Sequence, residues 1–318
     1  MKRLLPFLAL PLTALAQDAA MLSHWAYDAK APLDVKEAGV EKRGDVVIHD
    51  LSYASPKGGR VPAYLVMPKG KGPFPAVVWG HWYWDNSAMR NRTQFLDEAV
   101  LLARSGVASL LNDGTVARPG YTRDRTALNE KQFTDLVQQV VDMRRAVDVL
   151  LARGRADPKR LAFVGHSYNA TVGGILAGVE RRFKALVLMA GGLSDEADLK
   201  TEPYRKYREK VGPEKFDPFF AAHLWADPGR YVAHAAPAAV FMQFATKEDF
   251  LNPEHVKAYE KVVSEPKRFK MYDAPHALNA EARRDRIAFL AEQLGFRAPE
   301  PAAIAAVPDL FQPADEKP

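Results

Sequence analysis

Cysteine is absent from all 318 residues. That removes disulfides, thiol nucleophiles and thiolate metal sites at once, and a core of this size does not depend on disulfides for stability. An excess of one charge sign is also missing. The formal net charge is only +5, and the pairs Arg181-Arg182 and Arg283-Arg284 read as parts of helical patterns, not as a basic stripe, so no nucleic-acid partner is expected. Past Asp18 no apolar run approaches the roughly 20 residues that a spanning helix needs, so no stable membrane insertion is expected after processing. There is no internal repeat. No motif calls for a cofactor, and His81 has no close companion ligand, so no metal is expected. What remains is 47% hydrophobic and 26% charged, a balance that excludes wholesale disorder and suits one large globular domain or two smaller ones.

The first residues read as a signal peptide, 1–16. Lys2 and Arg3 precede an apolar stretch from Leu4 to Leu15, and Ala14-Leu15-Ala16 supplies a small-x-small cleavage pattern before Gln17. An uncleaved anchor is the competing reading. Export to the periplasm or the medium is the expectation. A single domain is then expected over 17–298, followed by a flexible Ala/Pro-rich tail, 299–318.

Within that domain an N-terminal extension, Ala20 to Val40, precedes two short strands, Val46 to Tyr53 and Val61 to Val66, joined by a Pro/Gly turn. The pattern then changes. Apolar strands at Pro75–Trp79, Val107–Leu111, Leu161–Val164, Ala185–Ala190, Ala238–Phe244 and Phe269–Tyr272 alternate with helices at Phe95–Ser105, Phe133–Leu151 and Ile287–Leu294. Such alternation predicts an α/β fold with a mainly parallel central sheet covered by helices on both faces. Residues 194–237 are too long for a crossover loop and carry aromatics at Tyr204, Tyr207, Phe216, Phe219, Phe220 and Trp225. They read as a small helical insertion before the strand that leads to the acid.

The stretch from Leu161 to Ala170 carries the chemistry. An apolar strand runs into Gly165-His166-Ser167-Tyr168-Asn169 and then a helix. A serine at such a turn stands above the sheet edge, with the first helical amides, Tyr168 first among them, facing the same space. Asn169 departs from Gly-x-Ser-x-Gly, and a serine capping the helix is the bland alternative. Two further features favour catalysis. Glu248 and Asp249 follow one strand, and His276 follows the last one, in the order serine, acid, histidine. Ser167 is the expected nucleophile and His276 the expected base. Glu248 or Asp249 is the expected acid, with Asp273 as a weaker candidate.

On these residues the sequence resembles the α/β-hydrolase superfamily, and within it the dienelactone-hydrolase-like and prolyl-oligopeptidase-like hydrolase domains. The likeness spans about Asp45 to Gly295. It rests on Gly72–Val78, Asp142–Asp148, Asp157–Arg160, Gly165–Asn169 and Tyr272–His276. It implies the fold of that superfamily, with Ser167 as nucleophile, Glu248 favoured over Asp249, and His276 as base. It also implies a second oxyanion amide from the loop after Gly80, at His81 or Trp82. The aromatics Trp82, Tyr83 and Trp84 stand beside that loop as expected substrate-binding residues, with ordinary aromatic packing around the loop as the equal alternative. Arg118 and Arg123 follow another strand and read as a solvated loop, with binding of an anionic substrate group as the alternative.

The expected activity is hydrolysis of a small-molecule carboxylic ester through an acyl-enzyme. A compact serine peptidase or amidase acting on a short peptide is one alternative. An exported binding protein of the same fold without activity is another. Nothing in the sequence gives an oligomeric state.

Overall fold

The computed structural model describes residues 19–85, 87–124, 128–192, 202–248, 251 and 253–310. Its strands are β1 (Lys36–Arg43), β2 (Val46–Ala54), β3 (Arg60–Met67), β4 (Phe74–Gly80), β5 (Ala108–Asn112), β6 (Ala156–His166), β7 (Phe183–Met189), β8 (Ala239–Lys247) and β9 (Lys267–Pro275). They form one sheet in the order β1-β2-β3-β5-β4-β6-β7-β8-β9. The β1-β2-β3-β5 edge is antiparallel, and β5-β4-β6-β7-β8-β9 is parallel. Every residue of β4, β5 and the second half of β6 is buried, as continuous apolar runs covered on both faces must be.

The helices divide between those faces. On one lie α2 (Lys131–Arg153), α3 (Tyr168–Val179), α6 (Pro228–Val232) and α7 (Pro253–Val262). On the other lie α1 (Leu96–Arg104), α8 (Ala280–Leu294) and α9 (Pro301–Ala305). α2 buries Leu136, Val140, Met143, Val147 and Leu150 along one stripe, the 3.6-residue period of a helix lying on a sheet. α8 starts at Asn279, whose side chain accepts from the Ala282 amide, and ends at Gly295 in the left-handed region, where glycine escapes the Cβ clash. None of the described helices is long and apolar enough to cross a membrane.

The expected insertion contains α4 (Glu202–Val211), α5 (Pro213–His223) and α6 before β8; residues 193–201 lie outside the described residues. Three expectations need correction. The N-terminal extension contributes an extra strand, β1, which its exposed, mostly polar residues do not announce; pairing with β2, not burial, makes it a strand. Arg181 and Arg182 lie in the turn after α3 and not within a helix. Residues 299–310 are docked instead of forming a flexible tail: α9 buries Ile304 against the second core, and the Arg283 guanidinium donates to the carbonyls of Ile304, Val307 and Pro308. Residues 311–318, the signal segment 1–16 and Asp249 lie outside the described residues.

Candidate active site

β6 delivers its last six buried residues directly into Ser167, and α3 starts at the next residue. Ser167 has φ +55° and ψ −115°. A non-glycine residue held there costs about 1–3 kcal/mol and persists only where its surroundings impose it. They do: the Ser167 amide donates to the Met189 carbonyl at the end of β7, 2.7 Å away. Gly191 passes so close that a Cβ there would strike the Ser167 carbonyl. The serine side chain makes no capping bond to α3, which sets aside its reading as a helix cap. As the first helical residue, Tyr168 has no carbonyl four residues back for its N–H, so that amide is available to an oxyanion.

Asn169, at the place of the motif's last glycine, is fully buried and bonded at both ends. Its Nδ2 donates to the His81 carbonyl at 2.6 Å, and its Oδ1 accepts from Gln139 Nε2 at 2.9 Å. The room comes from the neighbouring strand, where a Cβ on Gly80 would lie 2.5 Å from that of Asn169. The glycine has in effect moved from α3 to β4, and the asparagine fastens the loop after β4.

At the other end of the site, β8 and β9 run parallel with Lys247 paired to Pro275. The next residue on each strand is therefore Glu248 and His276. His276 Nδ1 lies 2.9 Å and 3.0 Å from the two Glu248 carboxylate oxygens. Both side chains are almost wholly buried, where a charge-assisted hydrogen bond is stronger than in water. Asp273, the weaker acid candidate, points away: it is exposed and pairs with Lys247 at 2.9 Å.

Sequence reading missed the group that joins these parts. Gln94 Oε1 accepts from the Trp82 amide at 2.7 Å, which turns its Nε2 toward His166 Nδ1, 2.8 Å away. That ring nitrogen is thus the acceptor, and His166 Nε2–H donates to the His276 carbonyl at 2.9 Å. The tautomer follows from the network. Burial, together with the nearby His276, holds the His166 pKa well below the usual histidine value, so the ring is neutral. His166 and His276 also stack, with centroids 5.3 Å apart. The histidine beside the serine therefore touches the loop that carries the second histidine.

The same network corrects the role expected for Trp82. Its amide is taken by Gln94, its ring has no exposed surface, and its Nε1 donates to Ser87 Oγ at 3.1 Å. It serves neither an oxyanion nor a substrate. The His81 ring is likewise committed: Nδ1 donates to the Trp82 carbonyl at 2.7 Å and Nε2 accepts from the Gly114 amide at 2.8 Å, with burial lowering its pKa to about 4. Of the loop amides anticipated, that of His81 is left. Trp84 packs edge-on against Trp82. Tyr83 lines a cleft of about 510 Å3 together with Tyr121, Arg123, Asp135 and Tyr168. Arg118 is not solvated; it pairs with the buried Asp142 at 2.5 Å.

No family model matches the chain, and no curated protein is similar to it in sequence. Solved structures are similar in fold. An acetyl xylan esterase from Paenibacillus shares 18% identity at a TM-score of 0.67, over 91% of this chain and 97% of that one. Acetyl xylan esterase 1 from Thermoanaerobacterium shares 17% at 0.67, over 89% and 99%. A glucuronoyl esterase from Solibacter usitatus shares 14% at 0.59, over 86% and 91%. With its parallel sheet, its strand–serine–helix turn and these likenesses, the chain has the α/β-hydrolase fold.

Proposed function

We propose that the protein hydrolyses carboxylic esters, with Ser167 as nucleophile, His276 as base and Glu248 as acid. The observation that carries this reading is the buried Glu248–His276 pair, whose His276 carbonyl is held by His166, the residue beside a strained serine. In the first half-reaction His276 Nε2 takes the Ser167 proton as Oγ bonds to the acyl carbon. Glu248 accepts from Nδ1–H and stabilises the imidazolium. The Tyr168 and His81 amides are the donors proposed for the oxyanion. The carbon–alkoxide bond then breaks, and His276 returns the proton to the leaving alcohol. Water, deprotonated by His276, releases the acid and restores the serine.

The similar structures named as esterases support an ester as the bond attacked. We also propose export, with 1–16 as the signal; a mature N-terminus at Gln17 would support it, and one at Met1 would count against it. The activity is tested with p-nitrophenyl esters from acetate to laurate and with a serine-directed fluorophosphonate, on wild type and Ser167→Ala. Turnover and labelling that both vanish in the variant support the reading. Labelling without turnover moves the substrate to amides, and neither leaves a binding protein of this fold.

A further inference from the structure

Beside Tyr168 lies a chamber of about 540 Å3 walled largely by rings. α2 contributes Phe133 and Leu136, and the insertion contributes Phe219 and Phe220 from α5 with Tyr204 and Tyr207 from α4. Tyr168 and Thr171, one turn apart on α3, form the wall nearest the serine. The rings are already packed on one another. Phe220 stacks on Phe216 at 4.2 Å, Phe133 stacks on His223 at 3.8 Å, and Tyr204 meets Phe220 edge-on at 5.8 Å. His223 is itself held by the Phe219 carbonyl at 2.7 Å and the Glu130 carboxylate at 2.9 Å.

The cleft that holds Tyr83 shares Tyr168, Asn129 and Gln132 with this chamber. Its character is different. Arg123 is paired with Asp85 at 3.0 Å, and Asp135 with Lys131 at 2.5 Å. It therefore offers hydrogen-bonding groups, and the charges of Arg123 and Asp135 are already neutralised by these two pairs.

We infer that the ring-walled chamber is the subsite for an aromatic or similarly flat apolar group of the substrate, and that the polar cleft across Tyr168 takes the ester's neutral polar half. This rests on the ester-hydrolase reading of Ser167. A chamber of this volume falls within the range of small-molecule sites, and an acetyl group would leave most of it to water. Preformed rings favour a flat guest, which gains edge and stacking contacts and loses less rotamer freedom on binding than an alkyl chain of the same area.

The test measures kcat/KM for ethyl acetate, ethyl 3-phenylpropanoate, benzyl acetate and ethyl decanoate with wild type, Leu136→Trp and Phe220→Ala. One ring-bearing ester should exceed both ethyl acetate and ethyl decanoate by about tenfold or more. Leu136→Trp, which fills the chamber, should cut that preference by about tenfold, and Phe220→Ala should lower it as well. Equal rates on all four esters, or a preference for decanoate, would overturn the inference. Calorimetry with 3-phenylpropanamide and the Ser167→Ala protein separates the two readings. Binding that Leu136→Trp abolishes, in a protein that cleaves no ester, keeps the chamber and sinks the esterase. Ester turnover without ring preference and without amide binding sinks the chamber alone.

Discussion

His166 Nε2 donates to the main-chain carbonyl of His276 at 2.9 Å, so the residue before the serine holds the loop that carries the proposed base. Gln94 completes the link to the loop after β4. The loop after β4 and the loop that carries His276 thus share one buried chain of three hydrogen bonds.

Gln94→Glu should expose this link in the pH profile. A carboxylate still accepts from Trp82 but has no N–H for His166 Nδ1, so the ring keeps its bond to His276 only by taking a second proton. The titratable groups facing the ring oppose that proton: His276, paired with Glu248, and Arg286, paired with Glu98. Activity of the variant should therefore fall as pH rises through the new pair's pKa, a descending limb that wild type lacks. At its best pH kcat should drop about tenfold or more with KM little changed. Nitrogen NMR of wild type should show His166 neutral and protonated at Nε2. A variant profile parallel to wild type would leave Gln94 as packing only.

His81 should make stability depend on acid. Its folded pKa is lowered to about 4 by burial, whereas the unfolded ring titrates near 6.5. Above pH 6.5 both states are neutral and nothing changes. As pH falls from 6.5 toward 4 the unfolded chain takes up a proton that the folded ring refuses, so stability is lost across that window, about 2–3 kcal/mol in all. Urea titrations at pH 7.5 and 4.5 should show a smaller drop by that amount for His81→Gln. Equal drops would mean that the folded ring protonates normally.

What the sequence made legible was local or periodic. Leu161 to Ala170 reads as strand, turn and helix because each part has its own signature, and Glu248 and His276 each follow an apolar strand. Gln94 was invisible because its partners, Trp82 and His166, lie 12 and 72 residues away in the chain. Trp82 looked available because nothing local says that its amide is already bonded. β1 has no buried face to give it a period, and the chamber exists only once α2, α4 and α5 are brought against α3.

Restoring the motif with Asn169→Gly should weaken the protein. The change strands the His81 carbonyl and Gln139 Nε2 in the core without their partner. Each orphaned group costs about 1–3 kcal/mol, so about 2–6 kcal/mol is expected for the two. kcat should fall too, because the loop offering the His81 amide loses its tie to α3. Denaturant unfolding with kcat/KM on one ester checks both. Unchanged stability would mean that water replaces both bonds.

The C-terminal segment gives a prediction that leaves the chemistry alone. Arg283 is nearly buried, and its guanidinium donates to the carbonyls of Ile304, Val307 and Pro308 and to the Asp309 carboxylate. Truncation after Ala298 removes all four and uncovers the core that Ile304 closes. A cation left in apolar surroundings without acceptors costs about 3–5 kcal/mol. The truncated chain should unfold at correspondingly lower denaturant while keeping its activity at 25 °C. Adding Arg283→Met to the truncation should recover part of the loss, since an apolar side chain of similar length needs no acceptor. If it recovers nothing, the lost stability comes from Ile304 packing and not from the stranded charge.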